Sequence, residues 1–550
     1  MPAVSPMLSR LQMLLIALCL WSPLASRAQA PDPVADAIRT QVGQLAAAGG
    51  TMPAQTQALM DFYRQRQFAP AWKQPATVDQ LLAALADTAS DGLDPEDYGL
   101  SRLKAMRAAL AGGDATPAQR ARFDLRATDA YLAALVQLHH GKVEPGTLDP
   151  HWNFEARPLD PVQGLQAAIK AVDSGQIGAL FARARPQNPL YDRLRDALAR
   201  LRAVAQRGGW PELPDGPTLK PGMQDARVPL LRQRLVASGY LPADEAADEH
   251  YDAALEAAVK HFQQDQYLAA DGSVGAATRA ALNVTANQRI DQLRVNLERA
   301  RWLLHQVQGD FVVVDIAGYK VSYYKDGKPA WSARVQVGKP YRSTPVFKSR
   351  ITYMTLNPTW TVPPTILKND ILPKIHANRG YLAANRIRVL DSKGRPVSSQ
   401  SVNWNNPRGI VLRQDAGPGN SLGRLVIRFP NPYAVYLHDT PHQALFGANR
   451  RDFSSGCIRV QHVRELAVLL LDDPAKWNRA ALDRAIDTGK TQTVNLTKPL
   501  PLLLAYWTVH LHDDGRVSYR ADIYQRDGRL LAALDRRRVS PLDALPGGTP

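Results

Sequence analysis

The sequence predicts a multidomain α+β protein: a helical N-terminal half, a small three-helix unit, and a β-rich C-terminal domain interrupted by a helical and loop insert. Three observations carry this prediction. The chain has 550 residues, 45% of them hydrophobic, which is enough for several buried cores. Apolar residues recur at helical spacing through most of the chain before residue 309. After Gly309 the period changes to two, in segments dense in Val, Ile and Tyr.

At the N-terminus, Arg10 precedes the apolar run Leu11 to Trp21, and Ala28-Gln29-Ala30 offers a small-x-small cleavage pattern before Pro31. Residues 1–30 therefore read as a signal peptide cleaved after Ala30, and the protein as exported; a retained anchor is the alternative, although the run is short for a bilayer span. Leu18 stands before Cys19 where a lipid-modified cysteine needs a small residue, so no lipid anchor is expected. Cleavage removes Cys19 and leaves Cys457 without a partner for an internal disulfide. The formal charge is +16, and loss of the leader's two arginines leaves about +14. A basic exported chain suits an anionic polymer such as cell wall, or is simply an Arg-rich soluble surface. No aromatic-interleaved basic patch argues for a nucleic-acid partner.

Residues 31–207 carry helical periodicity in "VDQLLAALADTA", "RFDLRATDAYLAALVQL" and "YDRLRDALARLRAVAQ", separated by turns such as "DGLDPEDYG". His139 and His140 have no carboxylate or thiol pattern around them and read as the C-terminal pair of a helix. The Pro/Gly stretch after Gly208 reads as a linker over 208–227. The next unit, 228–285, places Leu231, Leu235, Ala254, Ala258, Phe262 and Leu282 at helical spacing, with "ADGSVGAAT" as a turn leading into a capped helix. A connecting helix covers 286–308. The β-rich domain spans 309–494, interrupted by an insert at about 364–422 of a length often used to cover a site. A hairpin with turn Asp513-Asp514-Gly515 and a tail occupy 495–550.

The chemistry concentrates in "YLHDTPHQALFGANRRDFSSGCIRV". With period two, Tyr436 and His438 share one strand face while Val435 and Leu437 point to the core, leaving His438 with an open side. Gly456 permits a tight turn, and the apolar helix predicted after Cys457 would bring backbone N–H groups and a partial positive charge to the sulfur. That setting, with a nearby imidazole, is expected to lower the thiol pKa. The N–H groups of Gly456 and Cys457 would hold an oxyanion, and Asp439, through its side chain or its backbone carbonyl, would orient His438. A lone cysteine is ordinarily a small buried hydrophobe. The Ser-Ser-Gly turn and the companion histidine favour a nucleophile for acyl transfer. His438, His442 and His462 lack zinc-ligand spacing, so no metal and no cofactor is expected.

Two families are resembled on these residues. Leu231, Leu235, Gly239, Tyr240, Ala257, Phe262, Gln263, Asp271, Gly272, Val274, Gly275, Thr278, Ala281 and Leu282 match the recurring pattern of peptidoglycan-binding domains. His438, Ser454, Gly456 and Cys457 match the His, spacer, [ST]-x-G-C pattern of YkuD-type L,D-transpeptidases. The stretches "VGKPYRSTPVF", "NPTWTVPPTILKNDILPK", "SLGRLVIRF" and "YLHDTP" are similar to the large periplasmic YcbB-type members, whose helical scaffold, peptidoglycan-binding module and capped catalytic domain cover almost the whole mature chain. Ser455 and Arg459 stand where many members of the wider family have His and Asn; the YcbB-type members share both.

The resemblance implies tetrapeptide stems of peptidoglycan as donor and acceptor, and a location in the periplasm. It implies Cys457 as nucleophile attacking a third-position diaminopimelate, His438 as proton shuttle, release of D-Ala, and crosslinks between third-position residues. It also implies acylation of Cys457 by carbapenems and other wall-synthesis enzymes as partners. Trp360, Tyr436, Ser455 and Arg459 form the substrate-binding set. Trp360 reads equally as core packing, and Arg459 as a member of a structural ion pair. A hydrolase or carboxypeptidase using the same Cys and His differs only in its acceptor, and a non-catalytic wall-binding protein would leave the Cys/His pairing to chance. A papain-like protease is disfavoured because the His precedes the Cys.

Overall fold

The computed structural model of the protein describes residues 32–47, 53–242 and 248–544, so the expected signal peptide lies outside the described residues. No helix among the described residues is long and apolar enough to cross a membrane.

Proline opens the helices Pro75–Asp87, Pro117–His140, Pro161–Asp173 and Pro189–Gln206, where its missing N–H is one the first turn leaves unbonded anyway. Pro117–His140 adds a capping box, Thr116 with Gln119, and buries Leu125, Ala130, Tyr131, Ala134 and Leu138. Its last two residues, His139 and His140, end the helix with their rings on the carbonyls of Pro158 and Arg157.

The small unit is built from Val228–Ala237, Ala253–Asp265 and Ala276–Leu282. Leu255 occupies the core place expected of Ala254, which is exposed. Gln263 explains the Phe-Gln and Asp-Gly pattern physically. Its buried amide donates to Asp271, to the Ser273 carbonyl and to Thr278, and accepts from the Gly272 N–H, locking the turn onto the helix. The last helix begins after Gly275 with no side-chain cap, contrary to the expected capped start. The expected linker is also corrected: Leu213 and Leu219 are buried in this unit's core, and Asn283 clamps Leu213 through both its backbone groups.

Helix Ala286–Leu303 runs between the other parts. On it Glu298 and Arg301 form a fully buried ion pair, with Arg301 also donating to the Asp91 carbonyl and Tyr191, and Glu298 accepting from the Val143 N–H.

The C-terminal domain contains a nine-stranded sheet. Its strands are β1 (Phe311–Asp315), β2 (Lys320–Lys325), β3 (Lys328–Gly338), β4 (Phe347–Leu356), β8 (Leu425–Arg428), β9 (Leu437–His438), β10 (Asp452–Ser454), β11 (Ile458–Val460) and β12 (Gln492–Ala505). The order is β10-β3-β11-β9-β8-β4-β12-β1-β2, and a further β2–β3 pairing closes the sheet on itself. Strand β12 pairs in parallel with β1 and antiparallel with β4, so the domain boundary expected at residue 494 falls inside a central strand. The hairpin expected around Asp513-Asp514-Gly515 is β13 (Val509–Leu511) with β14 (Val517–Tyr519). The tail then returns to the helical half, where Ser540 and Arg538 bond Asp129 and Arg126 pairs with Asp543. One continuous apolar core runs from Ile38 in the first helix through the sheet to Leu542.

The insert differs from the expected helical and loop piece. It carries a three-stranded sheet, β5 (Trp360–Thr361), β6 (Ile387–Asp391) and β7 (Ile410–Gln414), in the order β5-β7-β6. With helices between Pro364 and Ala384 it encloses its own core of Val362, Ile371, Ile375, Leu382, Val389, Trp404 and Leu412. Short alternating runs such as "RIRVLD" hold the strand signal.

Candidate active site

Strand pairing assembles the site. Strands β9 and β11 are parallel, with Ile458 opposite Leu437 and Arg459 opposite His438. Ile458, Val460 and Leu437 are fully buried on the core face, so Cys457, Arg459, Tyr436 and His438 lie together on the other. The strand-face reading of Tyr436 and His438 thus puts them on the face of Cys457, with Tyr436 level with Cys457 and His438 level with Arg459.

The open side expected for His438 is closed: the residue is 3% exposed. Burial first, then the Arg459 charge, hold its pKa down to about 3, partly offset by bonds to the Asp439 and Leu422 carbonyls. The imidazole is therefore neutral. Its Nδ1 faces the Asp439 carbonyl oxygen at 2.5 Å and donates to it, which leaves Nε2 unprotonated. Of the two roles open to Asp439, the backbone carbonyl performs the orienting one. Its carboxylate instead accepts from the N–H groups of Arg424 and Thr440 and from Gln443. This packing requires Gly423, at φ +66°, because a Cβ there would lie 2.4 Å from that of Asp439. The Leu-Gly-Arg stretch is thereby accounted for: Arg424 also bonds Asn357 and the Ile486 carbonyl.

Cys457 is half-buried and lies between β10 and β11, not at a helix start; the following helix begins at Val463. The expected helix-dipole contribution is absent for that reason, and the expected lowering of the thiol pKa is reversed. Burial pushes it above the ordinary 9.0, against smaller opposing effects from a Tyr436 backbone bond and the charges of Arg459 and Arg428. The resting thiol donates to the Ala434 carbonyl at 3.6 Å, and Ala434 is itself held at φ +53°.

Gly456 makes the tight turn, at φ +113°. Its N–H, expected to serve an oxyanion, donates instead to Ser454 Oγ at 3.1 Å, and Ser454 donates on to the Cys457 carbonyl. The turn is fastened from behind by Thr344, which donates to the Gly456 carbonyl and accepts from the Gly338 N–H, both at 2.9 Å. Tyr524, from the tail, donates to the Gly338 carbonyl and accepts from the Thr344 N–H. A Cβ on Gly338 would lie 2.1 Å from the Arg342 carbonyl. The "VGKPYRSTP" stretch held the signal for Thr344, although nothing local to it pointed to the cysteine loop.

Ser455 is exposed and accepts from Arg342, which pairs with Asp370 of the insert. Arg459 donates to the buried Gln336 at 3.0 Å and has no acidic partner among the described residues, so the structural ion pair weighed for it does not form. Arg459 Nε and Gln336 Nε2 are buried without a hydrogen-bond partner. Trp360 packs at the edge of the insert's core, half-buried, which favours the packing reading over a cleft wall. No cluster of potential metal ligands occurs among the described residues.

Comparison with known proteins accords with this architecture. A family model described as "Scaffold domain" matches residues 57–198, one described as "Putative peptidoglycan binding domain" matches 224–282, and one described as "L,D-transpeptidase catalytic domain" matches 309–480. A protein of Haemophilus influenzae described as "Putative L,D-transpeptidase" is 33% identical over 242 residues, which is 44% of this chain and 48% of that one. The chain thus spans about half the length of this curated relative. Among solved structures, an L,D-transpeptidase from Mycobacterium smegmatis is 15% identical, covering 36% of this chain and 58% of that chain at a TM-score of 0.16. An L,D-transpeptidase from Xylanimonas cellulosilytica is 17% identical, covering 53% and 100% at a TM-score of 0.16. Superpositions this poor bear neither on the fold nor on the chemistry. On the family matches, the chain carries a YkuD-type L,D-transpeptidase catalytic domain joined to a peptidoglycan-binding domain and a scaffold domain.

Proposed function

We propose that the protein is a cysteine acyltransferase of the L,D-transpeptidase type, of the large YcbB-like kind, acting on peptidoglycan tetrapeptide stems in the periplasm after its leader is removed. Cys457 sulfur attacks the carbonyl of the third-position diaminopimelate while His438 Nε2 takes the thiol proton. The tetrahedral intermediate collapses to a thioester, the C–N bond to D-Ala breaks, and His438 returns the proton to the leaving amine. The side-chain amine of a second stem's diaminopimelate then attacks the thioester, giving an amide between third-position residues and restoring the thiol. Because the Gly456 N–H is held by Ser454, the Cys457 N–H is the donor left for the oxyanion.

The observation that supports this reading best is the shared face of β9 and β11, which carries both the thiol and a neutral imidazole whose Nδ1 is engaged. A neutral base suits a protonated thiol, because the proton has to move only when the substrate carbonyl is in place. The peptidoglycan-binding domain would hold the chain on its polymer, and carbapenems would acylate Cys457. Incubating the mature protein with tetrapeptide muropeptides, beside Cys457→Ala, tests the proposal. A dimer lacking one terminal D-Ala, formed only by the unaltered protein, is expected. Shortened monomers alone would instead mean a hydrolase or carboxypeptidase.

A further inference from the structure

The site face extends past the residues already discussed. In register across the sheet, Tyr353 of β4 lies opposite Arg428 of β8. The β8–β9 pairing of Ile427 with Leu437 brings Arg428 alongside Tyr436, and Cys457 follows on the next strand. Tyr353, Arg428, Tyr436 and Cys457 thus form one lateral row. At roughly 4.8 Å per strand the Arg428 backbone stands about 10 Å from that of Cys457. Its side chain turns back toward the thiol, with Cζ 4.3 Å from the centroid of the Tyr436 ring.

Arg428 is half-buried, yet no acidic side chain and no hydrogen-bond acceptor meets it among the described residues, and its Nε is buried without a partner. Arg459, by contrast, is tied to Gln336. A guanidinium stacked on an aromatic face keeps its edge N–H groups free for a planar anion, and leaving such a cation partly desolvated costs stability unless an anion completes it. The charge also reaches the reacting groups, since it lowers the pKa of both Cys457 and His438.

We infer that Arg428 binds a free carboxylate of the donor stem and so selects the donor and fixes its position over Cys457. The inference rests on the proposed function for its substrate class. A tetrapeptide stem offers three such carboxylates: that of the γ-linked glutamate, the second one of diaminopimelate, and that of the terminal D-Ala. Tyr436 acts as the positioning residue that holds the guanidinium.

Calorimetric binding of the native tetrapeptide to Cys457→Ala, with and without Arg428→Gln, tests this without any bond being made. The dissociation constant is expected to rise on the order of tenfold to hundredfold, as for loss of a charge-assisted bidentate contact. Arg428→Lys should recover part of the loss. Three donors, each with one carboxylate converted to its amide, identify the partner: the one that Arg428 reads binds equally to the Arg428 and Gln forms. In turnover the same change should raise KM with little effect on kcat. Equal losses on all four donors, or no loss on any, overturn the inference. Should the unaltered protein make no dimer while the binding contrast persists, the carboxylate site stands and the proposed reaction falls.

Discussion

Alkylation of Cys457 by iodoacetamide should accelerate steeply with pH, with no plateau near neutrality. The sulfur's ordinary pKa of 9.0 is raised by burial, which outweighs the Tyr436 backbone bond and the charges of Arg459 and Arg428. At pH 7 the thiolate fraction is then below about 1%, and at pH 6 below about 0.1%. His438, held near 3, is neutral throughout this range and supplies no imidazolium to stabilise a thiolate. The rate constant should therefore climb about tenfold per pH unit from pH 6 to 8. Intact-mass spectrometry of the mature protein follows the reaction, and peptide mapping places the label on Cys457. Replacing Arg459 by Gln should slow alkylation at any given pH, because a positive charge facing the sulfur is lost. His438→Asn should leave the pH slope unchanged. A pH-independent rate between pH 5 and 8 that disappears in His438→Asn would refute the reasoning, since it would reveal a preformed thiolate–imidazolium pair.

Three further outcomes are expected. The neutral His438 is protonated more readily in the unfolded chain, at about 6.5, than in the fold, at about 3. Its stabilising contribution is thus complete above pH 6.5 and declines as the pH falls toward 3, with about 2 kcal/mol lost by pH 5. Hydrogen exchange at β9 and β11 should show this decline and show it removed by His438→Gln; an identical pH slope in both proteins counts against it. Thr344→Val leaves the Gly456 carbonyl and Gly338 N–H without their partner and should cost about 1–3 kcal/mol. Faster exchange in 452–460 and a lower kcat should accompany it, with recovery in Thr344→Ser. Arg301→Met strands the buried Glu298 carboxylate and should destabilise by about 3–5 kcal/mol in thermal unfolding, whereas adding Glu298→Gln should restore part of that. A loss no larger than a surface substitution gives would argue against the buried pair.

Much of the architecture was legible in short stretches. The helical period of "RFDLRATDAYLAALVQL" is one of them, and it lies within the helix Pro117–His140. The alternation in "VYLHD" placed Tyr436 and His438 on one face before any partner strand was known. The small insert strands were missed, because five-residue segments beside Gly/Pro turns resemble loops until a neighbouring strand pairs with them. The boundary at 494 failed for the same reason: nothing in "QTVNLTKPLPLLLA" indicates that the strand lies between β1 and β4.

By itself the sequence determined what depends on residue type and short-range period: the three-part α+β order, the paired Cys and His, and the family pattern around them. Only the tertiary structure decided their electrostatics. Whether the thiol pKa rises or falls depends on burial, on where the helix begins, and on guanidinium groups brought in by other strands. Arg428 stands beside Tyr436 only because β8 and β9 pair in that register. Thr344 reaches the cysteine turn across 112 residues of separation, and Tyr524 braces Gly338 and Thr344 behind it, the former across 186, through hydrogen bonds that exist only once the sheet has closed. Local propensity acts over a few residues. Desolvation and Coulomb interactions act between whatever the closed fold brings within a few ångströms, and that is set by the whole chain at once.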